Sequence, residues 1–136
     1  WPEKEEHLKL VDVLKTDAVE AESLTGESDI KKAASAIAKM GPKEVVLTLK
    51  DGILVFADGS YYEAPWRNKS LIGRSGRGDT CIASYITKRL TEPPEVAIIW
   101  SAATTSLKME AEGPFLRGVS DVRDFIAKEY ESVGLV

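Results

Sequence analysis

Val45-Val46-Leu47-Thr48-Leu49 is the stretch that decides the fold, because an unbroken run of apolar and β-branched residues is typical of a strand buried on both faces of a sheet. Upstream, Leu10-Val11-Asp12-Val13-Leu14 has the same character and predicts a second buried strand. Between the two, residues 28–40 carry apolar side chains at helical spacing, and Gly41-Pro42 ends that helix. Strand, helix and strand in this order predict a parallel pair with a right-handed crossover.

Two Asp-Gly pairs follow the deciding strand and predict tight turns. Asp51-Gly52 and Asp58-Gly59 bracket Ile53-Leu54-Val55-Phe56, and Ser60-Tyr61-Tyr62-Glu63 lies beyond the second pair. We therefore expect an antiparallel meander after the second strand.

Helical patterns account for much of the remaining sequence. We expect helices over residues 2–9; over residues 17–24, closed by Gly26; over residues 28–40, capped by Ser28; from Asp79, with Cys81, Ile82, Tyr85, Ile86 and Leu90 on one face; from Pro93-Pro94 to about Lys108; and at the end, capped by Ser120, with Val122, Phe125, Ile126 and Tyr130. Four strands against five or six helices predict an α/β fold. Because a parallel sheet needs helices on both faces of several strands, we expect residues 1–136 to be a single domain and the end of a larger α/β domain.

The composition excludes several classes of function. The chain has 136 residues, 43% of them hydrophobic and 29% charged, which fits one compact globular domain. A formal net charge of -4 with dispersed basic residues predicts no binding to nucleic acid or to an anionic membrane. One cysteine, Cys81, and one histidine, His7, are too few for an internal disulfide or a soft-ligand metal site, so we expect a cytoplasmic protein.

Gly73-Arg74-Ser75-Gly76-Arg77-Gly78-Asp79-Thr80-Cys81 is a glycine-rich loop that runs directly into a predicted helix. Glycines let the backbone approach a ligand, and the free N–H groups at a helix start favour a phosphate or another anion. Asp79 lies in the same positive field, and its carboxylate is suited to accept a hydroxyl proton. The alternative is a solvated loop in which Asp79 is an ordinary N-cap.

The stretch Gly76-Arg77-Gly78-Asp79 resembles the anion-hole and catalytic motif of the PfkB/ribokinase family, whose usual pattern is Asp-Thr-Thr-Gly-Ala-Gly-Asp. This chain has Gly73 at the first Asp and Arg77 at a position that is usually small. The resemblance implies that N–H groups of Gly76, Arg77 and Gly78 stabilise developing negative charge. It also implies that Asp79 activates the substrate hydroxyl.

A second segment, from Leu14 to Leu24-Thr25-Gly26, is similar to the Asn-x-x-Glu segment of the same family. The resemblance implies that Glu20 holds Mg²⁺ through water, with Asp17 in place of the usual Asn as a possible second ligand. Asp17 and Glu20 also have the spacing of a capping box at a helix start, and the two interpretations are compatible.

Two further segments resemble the nucleotide-binding parts of the family. Residues 45–52 are similar to the strand and turn that bind the nucleotide, which implies contacts from Thr48, Lys50 and Gly52, although a plain hairpin turn explains this stretch as well. Residues 100–110 are similar to the adenine-side helix, which implies contacts from Ala103 and Ser106, although close helix packing selects the same small residues.

Together these segments imply a ribokinase-like three-layer αβα fold, of which the chain is a C-terminal portion without the N-terminal strands and lid. The implied activity is ATP-dependent phosphorylation of a hydroxyl on a sugar, polyol or nucleoside, with ATP and Mg²⁺ as cofactors. Two alternatives remain, a catalytically incomplete nucleotide-binding fragment and a small interaction module that binds a phosphorylated partner. An incomplete sheet also predicts exposed strand edges that a second copy would cover in a homodimer.

Overall fold

The structure, a computed structural model, describes residues 1–130 and divides into two compact units, residues 1–63 and a second unit that starts at Ala64. The first unit contains α1 (Lys4–Leu8), β1 (Val13–Asp17), α2 (Ala18–Thr25), α3 (Ile30–Lys39), β2 (Glu44–Thr48), β3 (Gly52–Ala57) and most of β4 (Ser60–Pro65). The second contains α4 (Arg77–Arg89), α5 (Pro94–Met109) and α6 (Val119–Glu129). The expectation of a single domain over residues 1–136 stays a prediction.

The strands form one four-stranded sheet in the order β1-β2-β3-β4. β1 and β2 are parallel, with Asp17 beside Thr48 at their carboxyl ends, and β2 and β3 are antiparallel. Asp58 and Gly59 join β3 to β4 with positive φ angles of 52° and 76°, as a two-residue hairpin turn requires. The predicted parallel pair and the predicted meander are both confirmed.

The first strand lies three residues later than the sequence predicted. Leu10 is 83% exposed instead of buried, because α1 ends in a turn in which Leu10 N–H donates to His7 O and Val11 N–H to Leu8 O. β1 instead takes in Thr16, which is buried, and Lys15, which is half-buried. As an edge strand it accepts polar side chains that an internal strand would exclude.

Two helix caps also differ from the prediction. Asp29, not Ser28, caps α3, since its Oδ1 accepts a 2.8 Å hydrogen bond from Lys32 N–H. Gly118, not Ser120, is the N-cap of α6, and the Asp121 carboxylate accepts from the Gly118 N–H at 2.8 Å. The predicted caps were wrong because the N-cap of α3 lies one residue after Ser28 and the N-cap of α6 lies two residues before Ser120.

The remaining helices follow the sequence closely. α2 ends at Gly26, whose left-handed φ of 77° closes the helix, and α5 begins at Pro94. On α4, Cys81 and Tyr85 are buried as predicted, but Ile86 and Leu90 are 41% and 79% exposed, so the predicted apolar face is wrong at its C-terminal end.

The core of the first unit lies between its helices and the sheet. The buried side chains in this cluster are Ala21, Ala33, Ala34, Ile37, Val45, Leu47 and Leu54. Small alanines on α2 and α3 let these helices approach the branched side chains of the strands closely. Gly41 then turns the chain into β2 with φ 148°, and a Cβ there would lie 2.3 Å from Leu8 O, so only glycine fits.

The second unit is built around α5, which is buried over most of its length. The Ser101 hydroxyl donates a 2.7 Å hydrogen bond to the Cys81 carbonyl of α4, and α6 adds Val122, Phe125 and Ile126 to this core. Among residues 1–130, no helix has the length and apolar character needed to cross a bilayer.

Tyr130, at the end of α6, ties the start of the second unit to α5. Its fully buried hydroxyl donates to Pro65 O at 2.7 Å and lies 3.4 Å from the Ser106 hydroxyl. Burial raises the pKa of Tyr130 to about 12, and the Ser106 hydrogen bond and the charge of Arg67 oppose this rise only in part. The folded protein therefore keeps this proton at a pH at which an unfolded tyrosine releases it.

This pKa predicts a loss of stability at alkaline pH. The contribution of Tyr130 is fully present below the unfolded pKa of about 10 and falls by up to roughly 3 kcal/mol as the pH rises toward 12, because the unfolded state binds fewer protons there. Tyr130→Phe should cost about 1–2 kcal/mol near neutral pH, through the lost hydrogen bond to Pro65 O, and should remove this part of the pH dependence. Urea unfolding at increasing pH measures both effects.

Tyr61→Phe is the matched control, since Tyr61 is partly exposed and its hydroxyl contacts only Lys31 O among the hydrogen bonds seen here. That variant should retain the alkaline loss of the parent protein. An unchanged alkaline slope in Tyr130→Phe would contradict the assignment.

Candidate functional site

The glycine-rich loop leads into α4 with its backbone amides available. Gly76 is the N-cap in a left-handed conformation (φ 77°, ψ 9°), and no side chain caps the helix. Arg77 N–H donates to Arg74 O at 3.1 Å, whereas the amides of Gly76, Gly78 and Asp79 have no backbone acceptor within residues 64–130. Amides of this kind at the positive end of a helix form a site for an anion.

Asp79 lies in the first turn of α4, not at its cap. The helix begins at Arg77, two residues earlier than the sequence predicted, so the alternative in which Asp79 is an ordinary N-cap is wrong. The carboxylate is exposed and lies within the field of the helix N-terminus. It is therefore accessible to a substrate hydroxyl.

The other end of the loop is fixed to the C-terminus of α5. The amides of Ile72 and Gly73 both donate to Met109 O, at 2.9 and 3.1 Å. A Cβ on Gly73 would lie only 2.3 Å from Ala111 O, so this packing requires glycine at the position where the family pattern has Asp.

Lys108 of α5 lies beneath the loop. Its side chain is almost completely buried, with the residue 3% exposed, and Nζ donates to Gly73 O at 3.3 Å and to Ala111 O at 3.4 Å. Its Cε lies 3.7 Å from the position that a Cβ on Gly76 would occupy. No role for Lys108 was predicted, although a lysine at the end of a helix of mostly apolar and small residues is a sequence signal for a buried charge.

Positive charge is concentrated at this loop, in contrast to the acidic chain as a whole. Arg74 and Arg77 belong to the loop and Lys108 lies against it, and none of the three forms a salt bridge within residues 64–130. Of the acidic side chains, only Asp79 belongs to this segment. The arrangement favours a multiply charged anion.

The first unit carries a second group of predicted site residues at the carboxyl edge of β1 and β2. Asp17 and Glu20 form the predicted capping box, in which Asp17 Oδ1 accepts from Glu20 N–H at 2.8 Å and Glu20 Oε2 accepts from Asp17 N–H at 3.0 Å. Thr16 also donates to Glu20 Oε2 at 2.9 Å, and Thr48 lies beside Asp17 in the parallel register. Ligands of open α/β sheets bind at such an edge.

These residues fit a water-mediated magnesium site. Glu20 Oε2 is fully engaged, but Glu20 Oε1 accepts no hydrogen bond within residues 1–63. No group of three or more potential ligand side chains occurs among residues 1–130, so an ion here would depend on one or two carboxylates, water and phosphate oxygens, which Mg²⁺ accepts readily.

The predicted nucleotide contacts lie in different parts of the chain. Lys50 is exposed, and Gly52 starts β3 with its carbonyl accepting a 2.8 Å hydrogen bond from Leu49 N–H, which closes the tight turn. Ala103 and Ser106 are fully buried, and the Ser106 hydroxyl donates to Ala102 O and accepts from Arg67 N–H. Close packing explains both side chains of α5, and nucleotide contact at these positions stays a prediction.

Comparison with protein families and solved structures identifies similar proteins. The model of the pfkB family of carbohydrate kinases matches residues 1–115. A pyrophosphate-dependent kinase in the ribokinase family, solved as a sulfate complex, is 40% identical, with a TM-score of 0.83 over 93% of this chain and 44% of that one. A pyrophosphate-dependent myo-inositol-1 kinase, converted into a myo-inositol-3 kinase, is 39% identical, with a TM-score of 0.84 over 96% and 47% of the two chains.

Ribokinase from Thermotoga maritima shares the fold, with a TM-score of 0.80 at 23% identity over 90% of this chain and 43% of that one. These likenesses confirm the predicted ribokinase-like fold. The chain spans less than half the length of the solved structures that it matches.

The contact between Gly73 and Ala111 predicts a substitution effect. Gly73→Ser should lower the free energy of unfolding by about 1–3 kcal/mol, because a side chain there forces the loop away from the C-terminus of α5. Gly118→Ser is the matched control, since a Cβ at Gly118 meets only side-chain atoms at ordinary contact distance, 3.8 and 3.9 Å. Equal thermal stability of the two variants would show that the loop is not held as described.

Proposed function

Since this chain belongs to the pfkB family of carbohydrate kinases, we propose that it phosphorylates a hydroxyl group of a sugar, polyol or nucleoside, with residues 76–79 as the anion hole and Asp79 as the base. The observation that carries this proposal is the start of α4, where unpaired amides and an accessible carboxylate belong to the same turn. The activity of the whole protein, its substrate and its donor are parts of the proposal.

In the proposed reaction the protein positions the reactants and stabilises charge, and it forms no covalent intermediate. The substrate hydroxyl oxygen attacks the terminal phosphorus of the donor, the bond from that phosphorus to the bridging oxygen breaks, and Asp79 takes the hydroxyl proton. The amides of Gly76 and Gly78 stabilise the negative charge on the transferring group. The guanidinium of Arg77, the first residue of α4, adds positive charge at the same place.

A magnesium ion, when bound, neutralises charge on the donor phosphates. In this chain Glu20 is the residue suited to orient its water, because two donors fix Oε2 while Oε1 stays available. Asp17 presents its second carboxylate oxygen at the same edge of the sheet.

Two donors fit the anion site. ATP is the donor that the family resemblance implies, with Thr48, Lys50, Gly52, Ala103 and Ser106 as its nucleotide contacts. Pyrophosphate is the donor named for the two similar kinases at 39 and 40% identity. Ser106 is fully buried, and its hydroxyl donates to Ala102 O and accepts from Arg67 N–H, so it is less available to a nucleotide, which supports pyrophosphate.

Removal of the base should separate chemistry from binding. Asp79→Asn is expected to lower kcat by on the order of 10²–10⁴, because the proton has no acceptor, while the KM for the donor changes little because the loop amides remain. Steady-state kinetics of the purified protein with myo-inositol or ribose as acceptor measures both constants.

Asp124→Asn is the matched control, an exposed aspartate of α6 outside the loop, and its kcat should equal that of the parent protein. Near-normal turnover in Asp79→Asn would remove Asp79 from the proposed role. Donor binding without turnover in the parent protein would instead favour a binding function alone.

The choice of donor can be decided by assaying pyrophosphate and ATP separately under the same conditions. We expect pyrophosphate to support phosphoryl transfer with a higher kcat/KM than ATP, in the presence of Mg²⁺. Product formation with each donor alone, followed by mass spectrometry of the phosphorylated acceptor, gives the comparison. Turnover with ATP and none with pyrophosphate would establish the nucleotide as the donor.

A further inference from the structure

We infer that Lys108 is a positioning residue whose buried charge tunes the loop at residues 73–79 to bind the phosphate groups of the donor. This inference rests on the proposed function, which identifies the anion as a phosphoryl donor. Three observations carry it: the burial of Lys108, the nature of its partners and its place beside the start of α4.

The burial of Lys108 is electrostatically costly in the protein alone. Lysines are almost never fully buried unless they are paired, because an ammonium group loses strong interactions with water. The partners of Lys108 Nζ are two carbonyl oxygens, of Gly73 and Ala111, at the long distances of 3.3 and 3.4 Å. No carboxylate within residues 64–130 forms a salt bridge with it.

Lys108 lies in the last turn of α5, where the helix dipole favours a cation, but its side chain also lies close to the start of α4. The N-terminus of a helix carries partial positive charge, and a cation is disfavoured there. Lys108 Cε lies 3.7 Å from the position of a Cβ on Gly76, the N-cap residue of α4. A positive side chain has thus been placed under the positive end of a 13-residue helix.

The cost of burying the Lys108 charge is offset when an anion occupies the loop. A phosphate group bound to the amides of Gly76 and Gly78 would lie at the helix terminus and close to the Lys108 side chain. Because Lys108 is buried, water screens its charge less than that of an exposed lysine, and it would stabilise a nearby anion more strongly. An unpaired buried charge that lowers the stability of the free protein is typical of a functional site.

Lys108 also acts through the backbone of the loop. Three hydrogen bonds hold the first residues of the loop on α5. Lys108 Nζ donates to Gly73 O, and the amides of Ile72 and Gly73 donate to Met109 O. The Lys108 side chain therefore orients the loop amides and also places positive charge near them. A lysine with only a structural role would orient the amides, but its charge would have no effect on anion binding.

Two substitutions separate charge from hydrogen bonding. Lys108→Gln retains a donor for Gly73 O without the charge, and Lys108→Met retains the length without either. In the absence of anion, we expect Lys108→Gln to unfold at the same temperature as the parent protein or at a higher one. With inorganic pyrophosphate and Mg²⁺ present, the parent should gain thermal stability in proportion to binding, and both variants should lose most of this gain.

Kinetics gives the second measurement. The KM for pyrophosphate or ATP should rise by roughly 10- to 100-fold in Lys108→Gln, as expected for the loss of a charged interaction with phosphate. The KM for the acceptor should stay unchanged. Lys128→Gln, which removes an exposed lysine of α6, should leave both constants and the pyrophosphate-dependent stabilisation at the parent values.

A wild-type response to pyrophosphate in Lys108→Gln would overturn the inference, as would lowered stability of both variants with the pyrophosphate response intact. If Lys108→Met fails to fold, Lys108→Gln alone still decides between these outcomes. The proposed function fails separately: absence of phosphoryl transfer with every donor would reject the kinase, while loss of pyrophosphate-dependent stabilisation in Lys108→Gln would retain the phosphate site.

Discussion

The attachment of the glycine-rich loop to the C-terminus of α5 is the constraint on which the second unit depends. Two amides, of Ile72 and Gly73, share one carbonyl of Met109, and the absence of a side chain at Gly73 lets the two backbones approach. This contact sets where the chain enters α4, and so which amides remain unpaired. A small steric requirement at one glycine thereby determines the electrostatics of the candidate site.

In the first unit, hydrogen bonds hold the Glu20 carboxylate in one orientation at the edge of the sheet. Glu20 is exposed, and an exposed glutamate normally samples several rotamers. The capping box with Asp17 and the hydroxyl of Thr16 remove that freedom and leave one oxygen available. Helix capping and metal orientation are thus not competing interpretations, since the first produces the geometry that the second requires.

Local signals in the sequence predicted local structure well. Gly26, Gly41-Pro42 and Pro93-Pro94 end or begin helices through their own backbone preferences, and the structure places the boundaries there. The strand at residues 10–14 was misplaced because the turn after α1 depends on hydrogen bonds to His7 and Leu8, which a run of apolar residues does not reveal. The spacing of apolar residues cannot show where β1 begins, because that depends on where α1 ends.

In the candidate site, residues close together in sequence could be predicted, whereas a residue brought in by the fold could not. Residues 76–79 are adjacent in sequence, so their motif was visible, and Asp79 could be assigned from its place at a helix start. Lys108 contacts Gly73, 35 residues away, and no spacing rule connects the two. Whether a charged residue is buried depends on its surroundings in the fold, and for this reason no role for Lys108 could be predicted from the sequence.

The proposed anion site would accept more than one kind of phosphoryl donor, because the groups that form it are suited to phosphate oxygens alone. The backbone amides at the start of α4 and the charge of Lys108 are suited to phosphate oxygens, which ATP and pyrophosphate share. Neither feature would distinguish the two donors by what lies beyond the second phosphorus. Under this proposal, discrimination would come from groups that bind or exclude a base, such as the buried Ser106 of α5. If residues 76–79 have the proposed role, a change of donor would require no change in that loop, only in the surfaces around it.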